Sequence, residues 1–386
     1  MKNITKILFA IILSFSVVSF ANAGELSVTG SAQATYVISS SDSGTAKVNK
    51  PKGIGMSNEI AFNATGDFAD GYTWNYQMEL DPDQRNGAAI NDDSRLELGT
   101  PYGTVGIYNS EGDLNTHLKS SVAAYSPGHD IGTSGGYEGG TGINSYSNIQ
   151  YHTPSGLLPN DISVKVAYSN GQGYGGDAND AASTKIQPTP INSYQVTGSP
   201  VEGATLGASY LEKTNTGVTP RAGVGGNHKY ETGGFFGKYN IGSFSLGAGR
   251  HYVSPNVTGN SGTCAATTAV KTYSTSVSAT TGLPSTTTSY CAGLKHFQND
   301  AYSVAFQVNP ELSVSVDKMT STARIRNTNG MNVITDTSRD LEVQSVQAAY
   351  NIGGAVVAIG QKTVDGVNYA EGVNVKETVL SLKMAF

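Results

Sequence analysis

The stretch EIAFNATGDFADGYTWNYQMEL, residues 59–80, changes character at every second position. Ile60, Phe62, Ala64 and Phe68 alternate with Glu59, Ala61, Asn63 and Thr65, and the alternation resumes after the turn Ala69-Asp70-Gly71. There Tyr72, Trp74, Tyr76, Met78 and Leu80 oppose Thr73, Asn75, Gln77 and Glu79. Successive side chains of a strand point to opposite faces, so this is a hairpin with one apolar and one polar face. A helix would need apolar residues recurring at three and four positions, and none of this stretch obeys that period.

Working outward, the same two-residue alternation repeats along the chain. Near the start, Leu26, Val28, Ala32, Ala34 and Tyr36 oppose Ser27, Thr29, Ser31, Gln33 and Thr35. At the end, Leu380, Leu382 and Met384 oppose Val379, Ser381 and Lys383, and the chain stops on Phe386. The connections alternate too. Short turns fall at ADG, TPYG, SPVEG, NIGS, NPE and GG, and between them lie long polar stretches at 39–56, 81–93, 170–191, 213–228, 254–297, 321–339 and 363–374. Counting strands between these breaks predicts sixteen, with short turns on one rim and long loops on the other. That is the pattern of a closed transmembrane antiparallel β-barrel. A soluble β-sandwich would explain the alternation. It would not explain the sixteen hairpin strands, the short–long rhythm, or the rings beside the short turns: Phe68 and Tyr72, Tyr239 and Phe244, Tyr350.

Composition agrees. The 386 residues include 47 Gly and 21 Tyr, only 14% are charged, and mean hydropathy is −0.23. Past residue 23 no apolar run could make a membrane helix, so only a closed barrel would place this chain in a bilayer. Residues 1–23 read as a secretory signal peptide: Lys2 and Lys6, the apolar ILFAIILSFSVVSF, then ANA. A single membrane anchor would need a longer apolar run. Without Lys2 and Lys6 the formal charge of −6 becomes −8, which argues against nucleic acid as a partner. The expected domains are therefore the signal peptide 1–23 and a barrel over 24–386.

Cys264 and Cys291 are the only cysteines, and they flank a Ser/Thr-rich stretch inside the long loop 254–297. In an exported chain such a pair reads as one disulfide. No cofactor is expected: the six histidines are scattered, and GGYEGGTG (135–142) lacks the strand-and-helix context of a phosphate loop. Ca²⁺ would be sought at Asp92 and Asp93 or in the long loop, although exposed carboxylates are ordinarily just solvated.

One connection is exceptional. After TVGIY (104–108) come roughly forty residues rich in Gly and Ser, and a loop of that length is usually functional or disordered. In a sixteen-stranded barrel, whose lumen is otherwise wide, it has room to turn inward.

Three stretches, RLELGTPYGTVGIY (95–108), NSYSNIQYHTPSG (144–156) and VLSLKMAF (379–386), resemble the Gram-negative general porins, in the branch typical of alphaproteobacteria. The resemblance runs diffusely over 24–386. It implies a homotrimer in the cell outer membrane, each barrel narrowed by a third loop, here 109–146. It also implies passive diffusion of ions and small hydrophilic solutes, with no enzymatic step, and an assembly signal that includes the terminal Phe386. Parity puts Arg95, Glu97, Glu59, Glu79 and Lys165 on the pore wall, and the loop would add Glu111, Asp113, Asp130 and Glu138. In the family, acidic loop residues face a wall of arginines. Arg95 matches one of those, whereas Glu59 stands where enteric members carry arginine, and Tyr146 and Ser147 stand near another. The lumen leans acidic, so a modest cation preference is expected. A substrate-selective channel, with Tyr108, Tyr125, Tyr137 and Tyr146 as an aromatic ladder, and an adhesive barrel with the Cys264–Cys291 loop as its tip, are the alternatives.

Overall fold

The computed structural model describes residues 24–42, 47–49, 53–81, 93–123, 137–170, 190–214, 230–255, 270–277, 284–290, 294–328 and 334–386. Among these, sixteen strands form the wall. The first eight are β1 (Glu25–Asp42), β2 (Gly53–Ala69), β3 (Tyr72–Leu80), β4 (Ser94–Thr100), β5 (Gly103–Asn109), β6 (Asn148–His152), β7 (Ser163–Ser169) and β8 (Ile191–Gly198). The rest are β9 (Ala204–Lys213), β10 (Tyr230–Ile241), β11 (Phe244–Ser254), β12 (Leu294–Gln307), β13 (Leu312–Thr328), β14 (Ile334–Ile352), β15 (Ala355–Asp365) and β16 (Asn374–Ala385). Each pairs antiparallel with its neighbours in sequence, and a three-residue strand, Lys47–Asn49, joins the same sheet at the end of β1.

The sheet closes on itself because β1 pairs with β2 along one edge and with β16 along the other, Ala34 facing Leu382 and Ser31 facing Ala385. The last residue completes the seam. Phe386 N–H donates to Gly30 O at 3.0 Å, and Gly30 N–H donates to Phe386 O at 2.9 Å. Gly30 has to lack a side chain, since a Cβ there would lie 2.7 Å from Cζ of the Phe386 ring. Closure pairs both edge strands of the barrel sheet, so neither is left open to a foreign strand.

Parity sorts the two faces. On β16, Leu380, Leu382 and Met384 are exposed while Val379 and Ser381 are buried. The same alternation leaves Leu26, Ile54, Leu96, Ile107, Leu206, Phe235, Val304 and Ile359 exposed on the outer face. Rings gather on that face at the short-turn end: Phe68 and Tyr72 have centroids 6.0 Å apart, and Phe244 and Phe306 4.7 Å. Seven short turns and both chain ends of the barrel lie at that rim.

Two expectations change. The segment 321–339 is mostly strand, because β13 runs to Thr328 and β14 starts at Ile334. The alternation persists there in polar residues, and the backbone goes on pairing where the apolar pattern has faded. The stretch 254–297 ends at β12 and carries a hairpin of its own, Lys271–Val277 with Pro284–Tyr290. The inner face is also less uniformly polar than expected. At the long-loop end of β11–β16, Val253, Leu294, Phe297, Met319, Ala323, Ile325, Leu341, Val343, Val364 and Val375 form one buried cluster. Val270, Tyr369 and Tyr137, each from a different connection, complete it.

Candidate functional site

The inner wall of β3–β6 is polar and held in register. Asn75 faces Glu97, Arg95 faces Tyr108, and Tyr108 faces Asn148 across successive strand pairs. Glu97 is the hub of this patch: Tyr108 OH donates to Oε1 at 2.5 Å, and Asn75 Nδ2 donates to Oε2 at 3.0 Å. Arg95 Nε lies 3.8 Å from the same carboxylate, while its Nη1 donates to Glu111 Oε1. Arg95 therefore sits on the inner wall and ties the root of the 110–147 segment to it. Burial raises the Glu111 carboxyl, and the Arg95 guanidinium pulls it back down.

From Glu111 the segment runs across the inner side to strands far away in sequence. Leu114 O accepts from Gln195 Nε2 on β8 at 2.9 Å, and Thr116 N–H donates to Ser209 Oγ on β9 at 3.0 Å. Ser120 lies on Gly247 of β11, where a Cβ would fall 1.8 Å from Ser120 O, so only glycine permits this approach. Ser121 Oγ donates to Asp317 Oδ1 on β13 at 3.1 Å, and Val122 N–H to Ser303 Oγ on β12 at 2.9 Å. The returning limb is pinned as well. Asn299 Nδ2 donates to Glu138 O at 2.7 Å, and Tyr230 OH accepts from Thr141 N–H. Leu114 and Ile143 pack with Ala167, Ile191 and Leu211 of the wall, while the Tyr137 ring stacks on His117 at 4.9 Å. A backbone that leaves a sheet must find other partners, and here wall side chains supply them.

The other expected residues fall as follows. Glu59 and Glu79 share the inner side of β2 and β3, Ala61 facing Glu79, and Lys165 faces His152 on the inner side of β7. Asp113 Oδ1 accepts from its neighbour Asn115 N–H at 2.9 Å. It is accessible at its own surface yet ringed by protein within the barrel, and that reduced hydration raises its carboxyl. Glu138 is buried and accepts from Gly140 N–H at 2.9 Å, so it braces the returning limb rather than lining open space. Asp130, Tyr125, Cys264, Cys291, Asp92 and the leader 1–23 lie outside the described residues. Asp93 O accepts from Glu79 N–H at 2.8 Å. Among the described residues no three His, Cys, Asp or Glu side chains gather as a metal site.

Sequence reasoning missed three inner-face cations, Lys119, Lys213 and Lys238. Parity along β9 and β10 carried the signal for two of them, since Lys213 faces Tyr230 and Lys238 faces Thr205 on the inner side. Lys213 Nζ donates to Tyr146 OH at 3.1 Å and lies 5.2 Å from the ring centre. A lysine from β9 thus stands beside the position where a wall arginine was looked for.

No protein-family model matches the sequence, and no curated protein matches it. Solved structures do. OmpF of Salmonella typhi, in complex with daunomycin, superposes with a TM-score of 0.60 at 14% identity over 95% of this chain and 100% of that one. The anion-selective porin of Comamonas acidovorans gives 0.59 at 11% identity over 94% and 100%. OmpT of Vibrio cholerae, an outer membrane protein solved in a trimer form, gives 0.55 at 12% identity over 95% and 100%. The fold is that of the general porins.

Proposed function

We propose that the chain forms an outer-membrane porin, a water-filled channel through which ions and small hydrophilic solutes diffuse passively. The observation that carries this reading is the combination of a closed barrel, an outer apolar face and an inner wall touched by residues 110–123 and 137–147. A barrel with an apolar outside is stable in lipid because every backbone group is paired within it. In this reading the segment, bonded to β4, β6, β8, β9, β12 and β13, narrows the lumen and leaves a passage beside it. Solutes are then sorted by size at the segment and by the charges beside it. In this reading residues 1–23 direct export, the barrel assembles as a homotrimer, as the trimer form of the Vibrio cholerae protein suggests, and the chain sides with the alphaproteobacterial branch.

Selectivity is weak and cationic. Glu59, Glu79 and Asp113 contribute negative charge, while Glu111 is answered by Arg95 and cannot act alone. The test is single-channel recording in planar bilayers, with reversal potentials under a salt gradient. Stepwise conductance in three equal levels, with cations modestly favoured, is expected. A folded protein that produces no conductance steps would falsify the channel reading.

A further inference from the structure

The connection from β15 to β16, residues 366–373, turns inward. Gly366 opens the turn at φ +71°, and a Cβ there would fall 2.3 Å from Asp340 O, so conformation and space both call for glycine. A 3₁₀ turn, Val367–Tyr369, follows, with Asn368 at φ +53° and Tyr369 at φ +61°. A bulky residue in left-handed backbone is uncommon and persists only where its surroundings hold it. Tyr369 is held. It is 1% exposed, its ring lies 4.9 Å from that of Phe297 on β12, and Val270 N–H donates to Asn368 O at 3.1 Å.

The Tyr369 hydroxyl closes a buried circuit of four residues from four separate stretches of chain. Glu138 N–H donates to Tyr369 OH at 3.3 Å, and Tyr369 OH lies 2.6 Å from Ser321 Oγ on β13. Ser321 Oγ donates to Asn299 Oδ1 on β12 at 2.6 Å, and Asn299 Nδ2 donates to Glu138 O at 2.7 Å. Because the Ser321 proton goes to Asn299, the Tyr369 proton goes to Ser321, and each hydroxyl donates once and accepts once. Bonds aligned head to tail in a low-dielectric site strengthen one another. Both backbone groups of Glu138, which lies outside any strand, are satisfied within the circuit. A phenylalanine at 369 would keep the ring and leave the Glu138 N–H without an acceptor.

We infer that the 366–373 connection is a latch on the crossing segment and that Tyr369 is a positioning residue of the channel. It fixes the returning limb at Glu138 and, with it, the bore; this functional half rests on the channel reading. The limb reaches Asn299 on the wall directly, but its Glu138 N–H is bound only while the connection is folded in. The pore then has two inward elements, and whatever draws 366–373 outward at the mouth loosens the segment as well.

Hydrogen exchange is followed by mass spectrometry on the purified, folded full chain, with heat-modifiable gel migration confirming each variant. In Tyr369→Phe, peptides covering 137–147 should exchange about fivefold faster, as the loss of one buried hydrogen bond implies, while those covering 110–122 stay within about twofold. Ser321→Ala should act in the same way, and the double variant should exceed neither single one by more than about twofold, since the circuit breaks once. Val379→Ala, buried on β16 outside both apolar clusters, should lower the thermal midpoint and leave 137–147 within about twofold. In planar bilayers the Tyr369→Phe channel should switch between conductance levels about fivefold more often than the parent. Exchange at 137–147 that is unchanged in Tyr369→Phe, or raised equally over the whole barrel, overturns the latch. Faster exchange there with conductance as steady as the parent's overturns Tyr369 as a positioning residue of the channel. Faster exchange in a folded chain that produces no conductance keeps the latch and removes the channel.

Discussion

The two halves of the wall begin from the same alternation and end differently. On β2–β7 the inner side is polar, and Glu59, Glu79, Arg95, Glu97 and Lys165 stay partly accessible. On β11–β16 the inner side at the long-loop end is apolar and dry, filled by Phe297, Tyr369, Val270 and their neighbours. Some charges on that half are deeply buried: Lys362 is fully enclosed and faces Glu377 across β15 and β16. The strands differ in reach as well, from the five residues of β6 to the nineteen of β14. The crossing segment is held on both halves, at its root by Arg95 of β4 and along its outgoing limb by Ser303 and Asp317 of β12 and β13.

The comparison can be attacked first on the dry side. Phe297 is completely buried and lies 4.9 Å from the Tyr369 ring, so Phe297→Ala should cost about 3–5 kcal/mol. Thermal unfolding of the folded barrel should shift downward, and single-channel traces should become noisier as the anchor loosens. Unchanged stability would mean that the cluster is not what holds the loops. The next largest effect is expected at the seam, where deleting Phe386 removes both hydrogen bonds to Gly30. Yield of assembled barrel should fall several-fold, while channels that do assemble conduct normally, as checked by heat-modifiable gel migration beside bilayer recording.

Smaller effects belong to the open side. Ser209→Val leaves the Thr116 N–H without its acceptor, a loss of about 1–3 kcal/mol in docking. Mean conductance should rise, and a variant with the parent's conductance would show the segment to be held elsewhere. Arg95→Ala frees the Glu111 carboxylate and should raise the cation-to-anion permeability ratio by roughly twofold, read from reversal potentials. The smallest signal is in pH. The Glu111 and Asp113 carboxyls are raised by burial, so they take up protons at a higher pH than free side chains do. Cation preference should therefore begin to fall, as pH is lowered, above the ordinary carboxylate range. By linkage the same two groups favour the folded state increasingly as pH falls, since the folded chain binds their protons more readily.

Much of this was legible without coordinates. Residues 59–80 announced a hairpin, Leu380, Leu382 and Met384 announced their face, and the rhythm of turns announced sixteen strands. Parity also put Arg95 and Glu97 on the same side. It was less useful for Lys213 and Lys238, whose strands are rich in glycine and carry a faint alternation. Parity was silent on Glu138 and Lys119, because a segment outside the sheet has no period to read.

What the sequence determined alone is therefore whatever depends on neighbours one or two residues away: strand, turn, and inside against outside. Side chains on a strand alternate by covalent geometry, and no distant contact can alter that. The tertiary structure decided where distant pieces meet. Thr116 finds Ser209 93 positions further along the chain, and Ser121 finds Asp317 at a separation of 196. Any exposed hydroxyl on the inner wall could have accepted those bonds. Which one does depends on how the closed barrel staggers its strands, and that stagger belongs to the whole wall rather than to any stretch of it.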